Sequence, residues 1–206
     1  MDRSEWDGRY RTDELVWQAG PNRFLVEEVE PLAPGRALDL ACGEGRNALW
    51  LAERGWKVTG VDFSAVGLAK ANHPASERGL EVDFVNADLL AWEPPMAEFD
   101  LVIVMYLHLP ADDRRHVLRR AVAAVAPGGS VLVVGHDSTN LVDGTGGPQD
   151  PSVLFSPQDI SADLDGLQVE RAERVRRPVA TDQGERDAID AMVRARRPAV
   201  VACAES

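Results

Sequence analysis

The sequence predicts an α/β fold in which helices cover both faces of a doubly wound, mostly parallel β-sheet. From Ala37 onward, apolar strand-like runs alternate with helix-like stretches. The runs at 99–109 and 130–137 are almost continuously apolar, which is typical of strands buried on both faces. A glycine turn, CGEG, directly follows the first apolar run. Successive parallel strands of such a sheet are joined by right-handed crossovers.

The first half of the chain alternates between strands and helices. We expect a strand at 37–41, a helix at 47–55, a strand at 56–63, a helix at 64–72 and a strand at 80–88. Gly55 is a typical helix stop, and Ser64 is a suitable N-cap for the next helix. Pro74 is expected to interrupt that helix, because proline disfavours helical backbone in the residue before it.

The second half continues the alternation and then changes character. The strand at 99–109 is followed by an amphipathic helix at 111–129, closed by Pro-Gly-Gly, and by the strand at 130–137. The turn-rich segment 138–151 is long for a connection, which favours a functional loop. Four apolar residues of 167–179 share one face at period two: Leu167, Val169, Val175 and Val179. Residues 188–197 fit either a strand or a helix.

Composition limits the function classes. The net charge of −12 disfavours binding to phosphate backbones, so no nucleic-acid partner is expected. No apolar run approaches the roughly 18 residues of a membrane span, and the charged N-terminus lacks the apolar region of a signal peptide. The two cysteines form no CxxC pair, so we expect no metal site and a cytoplasmic protein. Monomer and homodimer stay open.

The glycine turn indicates a nucleotide-like ligand, and three kinds compete. A phosphate-binding loop requires a lysine after the second glycine, and none follows here. Gly43, Gly45 and Ala48 match the dinucleotide pattern Gly-x-Gly-x-x-Gly/Ala, so an NAD(P)-dependent oxidoreductase is one alternative. The chain has no recognisable Tyr-x-x-x-Lys or similar constellation for hydride transfer. The third candidate is S-adenosylmethionine (SAM).

Three carboxylates at the ends of successive predicted strands separate these ligands. Asp39 lies inside the first strand, and a buried carboxylate is unfavourable unless it is paired. The ammonium group of SAM would pair it, and NAD has no such group. Asp62 can accept hydrogen bonds from ribose hydroxyls, and Asp88 from an adenine amino group. Because ligands bind at the carboxyl ends of the strands, the pattern favours SAM.

Several segments resemble known proteins. LDLACGEGRNALWLAERGWKVTGVDFS resembles motif I through the acidic loop of class I SAM-dependent methyltransferases. NADLL resembles the adenine-contacting motif of that family, and PGGSVLVVGHD its fifth strand. ELVWQAGPNRFL resembles the N-terminal cover of a bacterial small-molecule branch related to tellurite-resistance and thiopurine methyltransferases. The resemblance spans about residues 6–197.

The resemblance implies a Rossmann-like sheet of seven strands, mostly parallel, with an antiparallel C-terminal strand. It implies one domain over 1–206, divided into a helical cover at 1–36, a SAM-binding core at 37–137, and a substrate-side loop with closing strands at 138–206. It therefore favours the strand alternative for 188–197. Ala41 departs from the family, in which many members have glycine, but the added methyl is small.

Matched positions imply the cofactor-binding residues Asp39, Ala41, Cys42, Gly43, Gly45, Arg46, Asp62, Phe63, Asp88, Leu89 and Met105. The backbone at 41–43 lines the methionine part, and Arg46 is suited to the cofactor carboxylate or to an anionic acceptor. Phe63 packs on the adenine, and the Leu89 amide faces its edge. Met105 borders the site beneath the sulfonium.

The acceptor-side residues are less strongly indicated. His108 follows the fourth strand and His136 the fifth, and these two are the available near-neutral bases. Tyr106 leaves the fourth strand at the same rim. Tyr10 and Trp17 belong to the N-terminal cover, where aromatic rings suit a sulfonium or an aromatic acceptor.

The predicted function is in-line transfer of the SAM methyl group to a heteroatom of a small molecule: sulfur, selenium, tellurium or oxygen. A phenol or alcohol needs a general base for this step, whereas a soft anion such as a thiolate does not. Two alternatives stay open. One is the NAD(P)-dependent oxidoreductase, and the other is a non-catalytic SAM-binding regulatory module.

Overall fold

The structure is a computed structural model that describes residues 2–12, 14–16, 20–182 and 184–199. The chain divides into two compact units, which are Met1–Glu93 with Leu101–Met105 and Pro94–Asp100 with Tyr106–Ser206. Within the described ranges, no helix is both long and apolar enough to cross a membrane.

The first unit contains the parallel part of the sheet. Its helices are α1 (Arg3–Tyr10), α2 (Arg23–Val29), α3 (Arg46–Glu53) and α4 (Ala65–Glu77). Its strands are β1 (Arg36–Leu40), β2 (Lys57–Asp62), β3 (Val82–Asn86) and most of β4 (Phe99–Met105). Strand β1 pairs in parallel with β2 and with β4, and β2 pairs in parallel with β3. The carboxyl ends of these strands therefore meet at one edge.

The second unit contains the antiparallel part. Its helices are α5 (Ala111–Ala124), α6 (Asn140–Asp143), a short 3₁₀ helix (Pro151–Val153) and α7 (Pro157–Asp163). Its strands are β5 (Val125–His136), β6 (Gln168–Thr181) and β7 (Gly184–Arg196). Strand β7 is antiparallel to both β5 and β6. The strand order β3-β2-β1-β4-β5-β7-β6 confirms the predicted seven-stranded Rossmann-like fold.

Helix α4 does not end before Pro74, so that prediction is wrong. The helix continues to Glu77 with the proline inside it. Proline removes one backbone hydrogen bond and crowds the preceding turn. Leu68, Ala71 and Ala75 nevertheless form a buried stripe along the helix. Burial of this stripe, part of which lies beyond the proline, offsets the lost bond.

The fifth helix is shorter than predicted. It ends at Ala124, and Val125 is already extended, with φ −67° and ψ 128°. Ala126 precedes Pro127, so its backbone is biased away from the helical region. The strand that follows accordingly starts at Val125 instead of 130.

The long C-terminal hairpin confirms the strand alternative for 188–197, but one face assignment was wrong. Val169 does not share the face of Val175 and Val179, because the pairing register shifts between Val169 and Arg171. This β-bulge places one extra residue in β6, which exchanges the faces on its two sides. Val169 is therefore 39% exposed.

Candidate functional site

The glycine turn between β1 and α3 holds three left-handed residues close together. Ala41 has φ 62°, Gly43 54° and Gly45 77°. The turn is closed by the Gly45 amide, which donates to the Cys42 carbonyl at 2.9 Å. Left-handed backbone is unfavourable by roughly 1–2 kcal/mol for a residue with a side chain. Ala41 therefore carries strain at the position where the family pattern has glycine.

The two glycines of the turn are also required by close packing. A Cβ built on Gly45 lies 2.7 Å from the Cβ of Ala71 and 3.2 Å from the ring of Phe84. A Cβ on Gly43 lies 2.7 Å from the hydroxyl of Tyr10. The turn thus packs directly against neighbouring side chains at both positions.

We expect Gly45→Ala to lower the free energy of unfolding by about 2–4 kcal/mol, because strain from overpacking adds to strain from positive φ. Urea denaturation measures the difference. The matched control is Gly8→Ala, since Gly8 lies in α1 and a Cβ there has no heavy atom within 4 Å. That control should raise stability by about 0.5–1 kcal/mol. Equal stability of Gly45→Ala and the native chain would contradict the packing argument.

Asp39 is a buried carboxylate that no described residue approaches closely enough for a well-formed hydrogen bond. Its residue is 1% exposed, and neither carboxylate oxygen accepts a hydrogen bond from a described residue. Burial, together with repulsion from Asp62, raises the pKa of Asp39 to about 8. The Arg46 guanidinium and the nearby Ala48 amide offset only part of this effect. Such a group is suited to a cationic hydrogen-bond donor that arrives with a ligand.

Asp62 is also buried, but its carboxylate organises the turn. One oxygen accepts from the Gly43 amide and the other from the Ser64 amide, both at 2.8 Å. Burial raises the pKa of Asp62, while these amides lower it. A carboxylate has about four lone-pair positions, so two acceptor positions stay available for ribose hydroxyls.

The other predicted cofactor residues lie on the same unit. The Cys42 amide donates to the Val61 carbonyl at 3.1 Å, and the buried thiol has a pKa raised well above its usual value by burial. Cys42 is therefore a small packing residue of the turn. Leu89 and Met105 are buried. Phe63 is half-buried, and Cζ of Arg3 lies 5.9 Å from the centre of the Phe63 ring.

Asp88 combines an exposed side chain with a turn-forming role. One of its oxygens accepts from the Leu90 amide at 2.9 Å, and its carbonyl accepts from Ala91 and Trp92. The hydrogen bond from Leu90 orients the Asp88 carboxylate through Oδ1 and does not involve Oδ2. This position is compatible with the adenine contact that the sequence predicts.

The N-terminal segment contacts the glycine turn through several side chains. Tyr10 is 5% exposed and stacks on Trp6 with ring centres 5.4 Å apart. The hydroxyl of Ser64 donates to Asp7 at 2.5 Å. Tyr10 was predicted on the substrate side, and the structure places it against the cofactor turn at Gly43. The predicted contact Trp17 lies outside the described residues.

Glu44 and Lys70 were missed by the sequence analysis. The Lys70 ammonium lies 2.7 Å from the Glu44 carboxylate and donates to the Thr12 and Glu14 carbonyls. Glu44 also accepts from the Val16 amide at 3.0 Å. This pair of a half-buried lysine and a buried glutamate therefore connects the segment after α1 to the glycine turn. The signal available in the sequence was an acidic residue between two glycines of a buried turn.

The second unit contains a separate polar cluster around Asp190. This carboxylate is 0% exposed. Its Oδ2 accepts from the Tyr106 hydroxyl at 2.8 Å and from Nε of Arg177 at 3.1 Å. Its Oδ1 lies 3.2 Å from Nδ1 of His136. Asp190 and Arg177 were not predicted, although an acid inside the apolar run AIDAM is the same signal that identified Asp39.

Tyr106 begins this cluster in an unusual conformation. It has φ 57°, and its amide donates to the Val134 carbonyl at 2.7 Å. Left-handed backbone in an aromatic residue is strained and occurs often at functional sites. Tyr106 follows Met105, the last residue of β4, directly in the chain.

His108 supports His136. Its Nε2 accepts the His136 amide at 3.1 Å, and the two rings stack with centres 5.3 Å apart. Burial, with a further contribution from His136, lowers the pKa of His108 to about 4, so it is neutral at pH 7. With Nε2 engaged by the backbone, this histidine is poorly placed to take a proton from an acceptor.

The 138–151 segment packs on His136. A Cβ on Gly147, which has φ 77°, falls 2.6–2.8 Å from the imidazole ring. Asn140 secures the segment, because its amide donates to the Gly146 carbonyl at 2.9 Å and its oxygen accepts the Ile189 amide at 2.7 Å. The predicted functional loop therefore forms part of the surroundings of His136. Within the described ranges, no group of three or more His, Cys, Asp or Glu is arranged to hold a metal ion.

Comparisons with known proteins show similarity to methyltransferases. The family model described as a methyltransferase domain matches residues 37–129. A 2-heptyl-1-hydroxyquinolin-4(1H)-one methyltransferase of Mycobacteroides abscessus is 30% identical over 177 residues, which cover 77% of this chain and 78% of that protein. A demethylmenaquinone methyltransferase of Thermus thermophilus is 42% identical over 123 residues, covering 59% of this chain and 54% of the relative.

The solved structures agree in fold. TehB from Haemophilus influenzae superposes with a TM-score of 0.72 at 20% identity, covering 95% of this chain and 66% of that one. The chain spans about half the length of the first curated relatives it matches. The match to the mycobacterial protein nevertheless extends over most of both chains. With its glycine turn and its seven-stranded sheet, the chain belongs to the class I SAM-dependent methyltransferase family.

Proposed function

We propose that this protein transfers the methyl group of SAM to a hydroxyl group of a small aromatic acceptor. The observation that carries the cofactor part is Asp39, a buried carboxylate with no partner among the described residues, beside the glycine turn. When bound, SAM supplies a methyl group that its positive sulfur has already activated. The protein therefore needs to orient the reactants and to accept a proton.

The cofactor would be held by the residues of the first unit. The Asp39 carboxylate would pair with the ammonium group, and Arg46 with the carboxylate. Asp62 has acceptor positions for the ribose hydroxyls, since its two backbone bonds leave half of its lone-pair positions available. Phe63 and Leu89 would bound the adenine. These assignments match the donors and acceptors of SAM group by group.

The acceptor would lose its proton to His136. Its side chain is 11% exposed and lies beside a carboxylate, which is the environment of a general base. Soft anions such as thiolate or selenide need no base, so this arrangement favours an acceptor with an O–H group. The mycobacterial relative is named for a hydroxyquinolinone and the Thermus relative for a demethylmenaquinone, which supports an aromatic acceptor. Neither the oxidoreductase nor the non-catalytic alternative accounts for both the buried Asp39 carboxylate and the polar cluster around Asp190.

A turnover panel tests this function. The purified chain would be incubated with SAM and with hydroxyquinolinones, substituted phenols, alkyl thiols, selenite and tellurite, while release of S-adenosylhomocysteine is measured. We expect release with hydroxylated aromatic compounds. Turnover confined to thiols, selenite or tellurite would refute the hydroxyl acceptor, and silence across the panel would favour the non-catalytic alternative.

Replacement of the proposed base gives a sharper result. We expect His136→Gln to lower kcat by about 10²–10⁴-fold, the usual contribution of a general base, with the affinity for SAM unchanged. His73→Gln is the matched control, because that side chain is 76% exposed on α4. It should retain native kcat. Equal kcat for the two variants would exclude His136 as the base.

A further inference from the structure

The second unit holds a buried acid whose bonds are distributed unevenly. Asp190 faces His136 across the antiparallel pair of β7 and β5. Both donors other than the histidine, the Tyr106 hydroxyl and Nε of Arg177, bind the same oxygen, Oδ2. The second oxygen, Oδ1, faces Nδ1 of His136. We propose that Asp190 is the positioning residue that fixes which nitrogen of His136 carries the proton.

The other atoms of this contact support the assignment. Among the described residues, neither Oδ1 of Asp190 nor Nδ1 of His136 forms a hydrogen bond in the present orientation of the ring. They lie 3.2 Å apart, and a small rotation of the ring aligns them. Leaving both atoms unpaired in a buried place would be unfavourable by about the energy of desolvation. A hydrogen bond between them would therefore satisfy two buried groups at once.

The ionisation of Asp190 fixes the direction of the bond. Burial alone would raise the pKa of Asp190, but the contacts with His136, Arg177 and Tyr106 outweigh it and lower the pKa. An ionised carboxylate only accepts hydrogen bonds. Nδ1 of His136 must then carry the hydrogen, which leaves the lone pair on Nε2. A neutral imidazole in this tautomer can accept a proton at Nε2.

The imidazole is also held in place by its neighbours. His108 stacks on the ring and accepts the His136 amide. The centre of the Tyr106 ring lies 5.2 Å from that of the His136 ring, with an angle of 62° between the ring planes. Gly147 packs against the His136 imidazole. The orientation toward Asp190 is therefore constrained by packing as well as by the carboxylate.

This inference rests on the proposed function. It defines the route by which the proton leaves the methyl acceptor. The acceptor O–H bond breaks and its proton passes to Nε2 of His136. The acceptor oxygen forms its bond to the methyl carbon, while the electron pair of the carbon–sulfur bond returns to sulfur. Asp190 stabilises the resulting imidazolium and changes no covalent bond itself.

The experiment is ¹⁵N NMR of the histidine side chains in the full 206-residue chain, which reads the tautomer directly and needs no acceptor. The four histidines are assigned with single His→Gln variants. The native chain should show His136 with hydrogen on Nδ1. In Asp190→Asn the amide donates to Nδ1, so the hydrogen should move to Nε2. A native chain with hydrogen on Nε2, or an unchanged tautomer in Asp190→Asn, would overturn the proposal.

Turnover separates this proposal from the function on which it rests. With any acceptor from the panel, Asp190→Asn should lower kcat by about 10²–10⁴-fold and leave KM for SAM unchanged. Asp187→Asn is the matched control on β7, since its side chain is 45% exposed, and it should preserve both tautomer and kcat. A switched tautomer with native kcat would uphold the positioning and refute His136 as the base. If Asp190→Asn does not fold, the tautomer of the native chain still decides.

Discussion

Asp39→Asn is expected to weaken SAM binding about 100-fold, or roughly 3 kcal/mol, the range for loss of a buried charge-assisted contact. The side chain is 1% exposed and has no hydrogen-bond partner among the described residues, so it is free to pair with the ligand once its proton leaves. Isothermal calorimetry measures the dissociation constant. The matched control is Asp83→Asn, an exposed aspartate of β3, which should bind SAM like the native chain.

The same substitution should stabilise the ligand-free protein. The pKa of Asp39 is raised from 3.8 to about 8 in the folded state, so the folded chain binds this proton more tightly than the unfolded chain. Stability contributed by the protonated form is therefore intact below about pH 4 and is lost as pH rises toward 8. Asparagine cannot ionise and avoids this loss. Its own buried amide needs partners, which reduces the gain.

We expect Asp39→Asn to exceed the native chain in stability by about 1–3 kcal/mol at pH 8, and the difference to vanish near pH 4. Urea denaturation at the two pH values measures it. A variant less stable than the native chain at pH 8 would mean that the carboxylate supports the fold, and Asp39 would lose its assignment as a ligand group.

The second large effect is the pH dependence of SAM binding. The ligand ammonium pairs with an ionised Asp39, so the proton must leave before the contact forms. Below about pH 8, the pKa of Asp39, the association constant should rise about tenfold per pH unit, or roughly 100-fold from pH 6 to pH 8. The raised pKa of Asp62 acts in the same direction. At higher pH the increase ends, since the ligand ammonium begins to lose its own proton.

Dissociation constants at pH 6, 7 and 8 measure this slope, and Asp39→Asn provides the comparison. The variant should bind weakly and show a much flatter dependence, because its side chain does not titrate. A native affinity that is independent of pH between 6 and 8 would contradict an Asp39 that is protonated in the free protein.

Most of the fold could be predicted because hydrophobic periodicity and turn residues are local signals. The errors occurred where a tertiary contact outweighs a local preference. Pro74 should end a helix by its own chemistry, but the buried stripe of α4 continues past it. Val169 alternates correctly with Val175 along the chain, yet a bulge in the pairing with β7 moves it to the other face. Neither effect is visible in a single segment.

The candidate site divides in the same way. Asp39, Asp62 and Asp88 could be proposed from the sequence because each lies within or just after a strand of a motif with fixed spacing. The cluster around Asp190 was not, since it depends on residues 84 positions apart in sequence that meet through a hydrogen bond from Tyr106. His108 was predicted as a base, and only its contact with the His136 amide indicates a supporting role.

Counting the protons released on binding tests whether Asp39 receives the ammonium group of SAM. SAM is titrated into the native protein at pH 6.5 in two buffers that differ in ionisation enthalpy, with NAD as the competing ligand. SAM should bind and release about one proton per molecule, because Asp39 is protonated beforehand, and NAD should give no heat. Binding of NAD without SAM, or binding of SAM with no proton release, would contradict this role of Asp39.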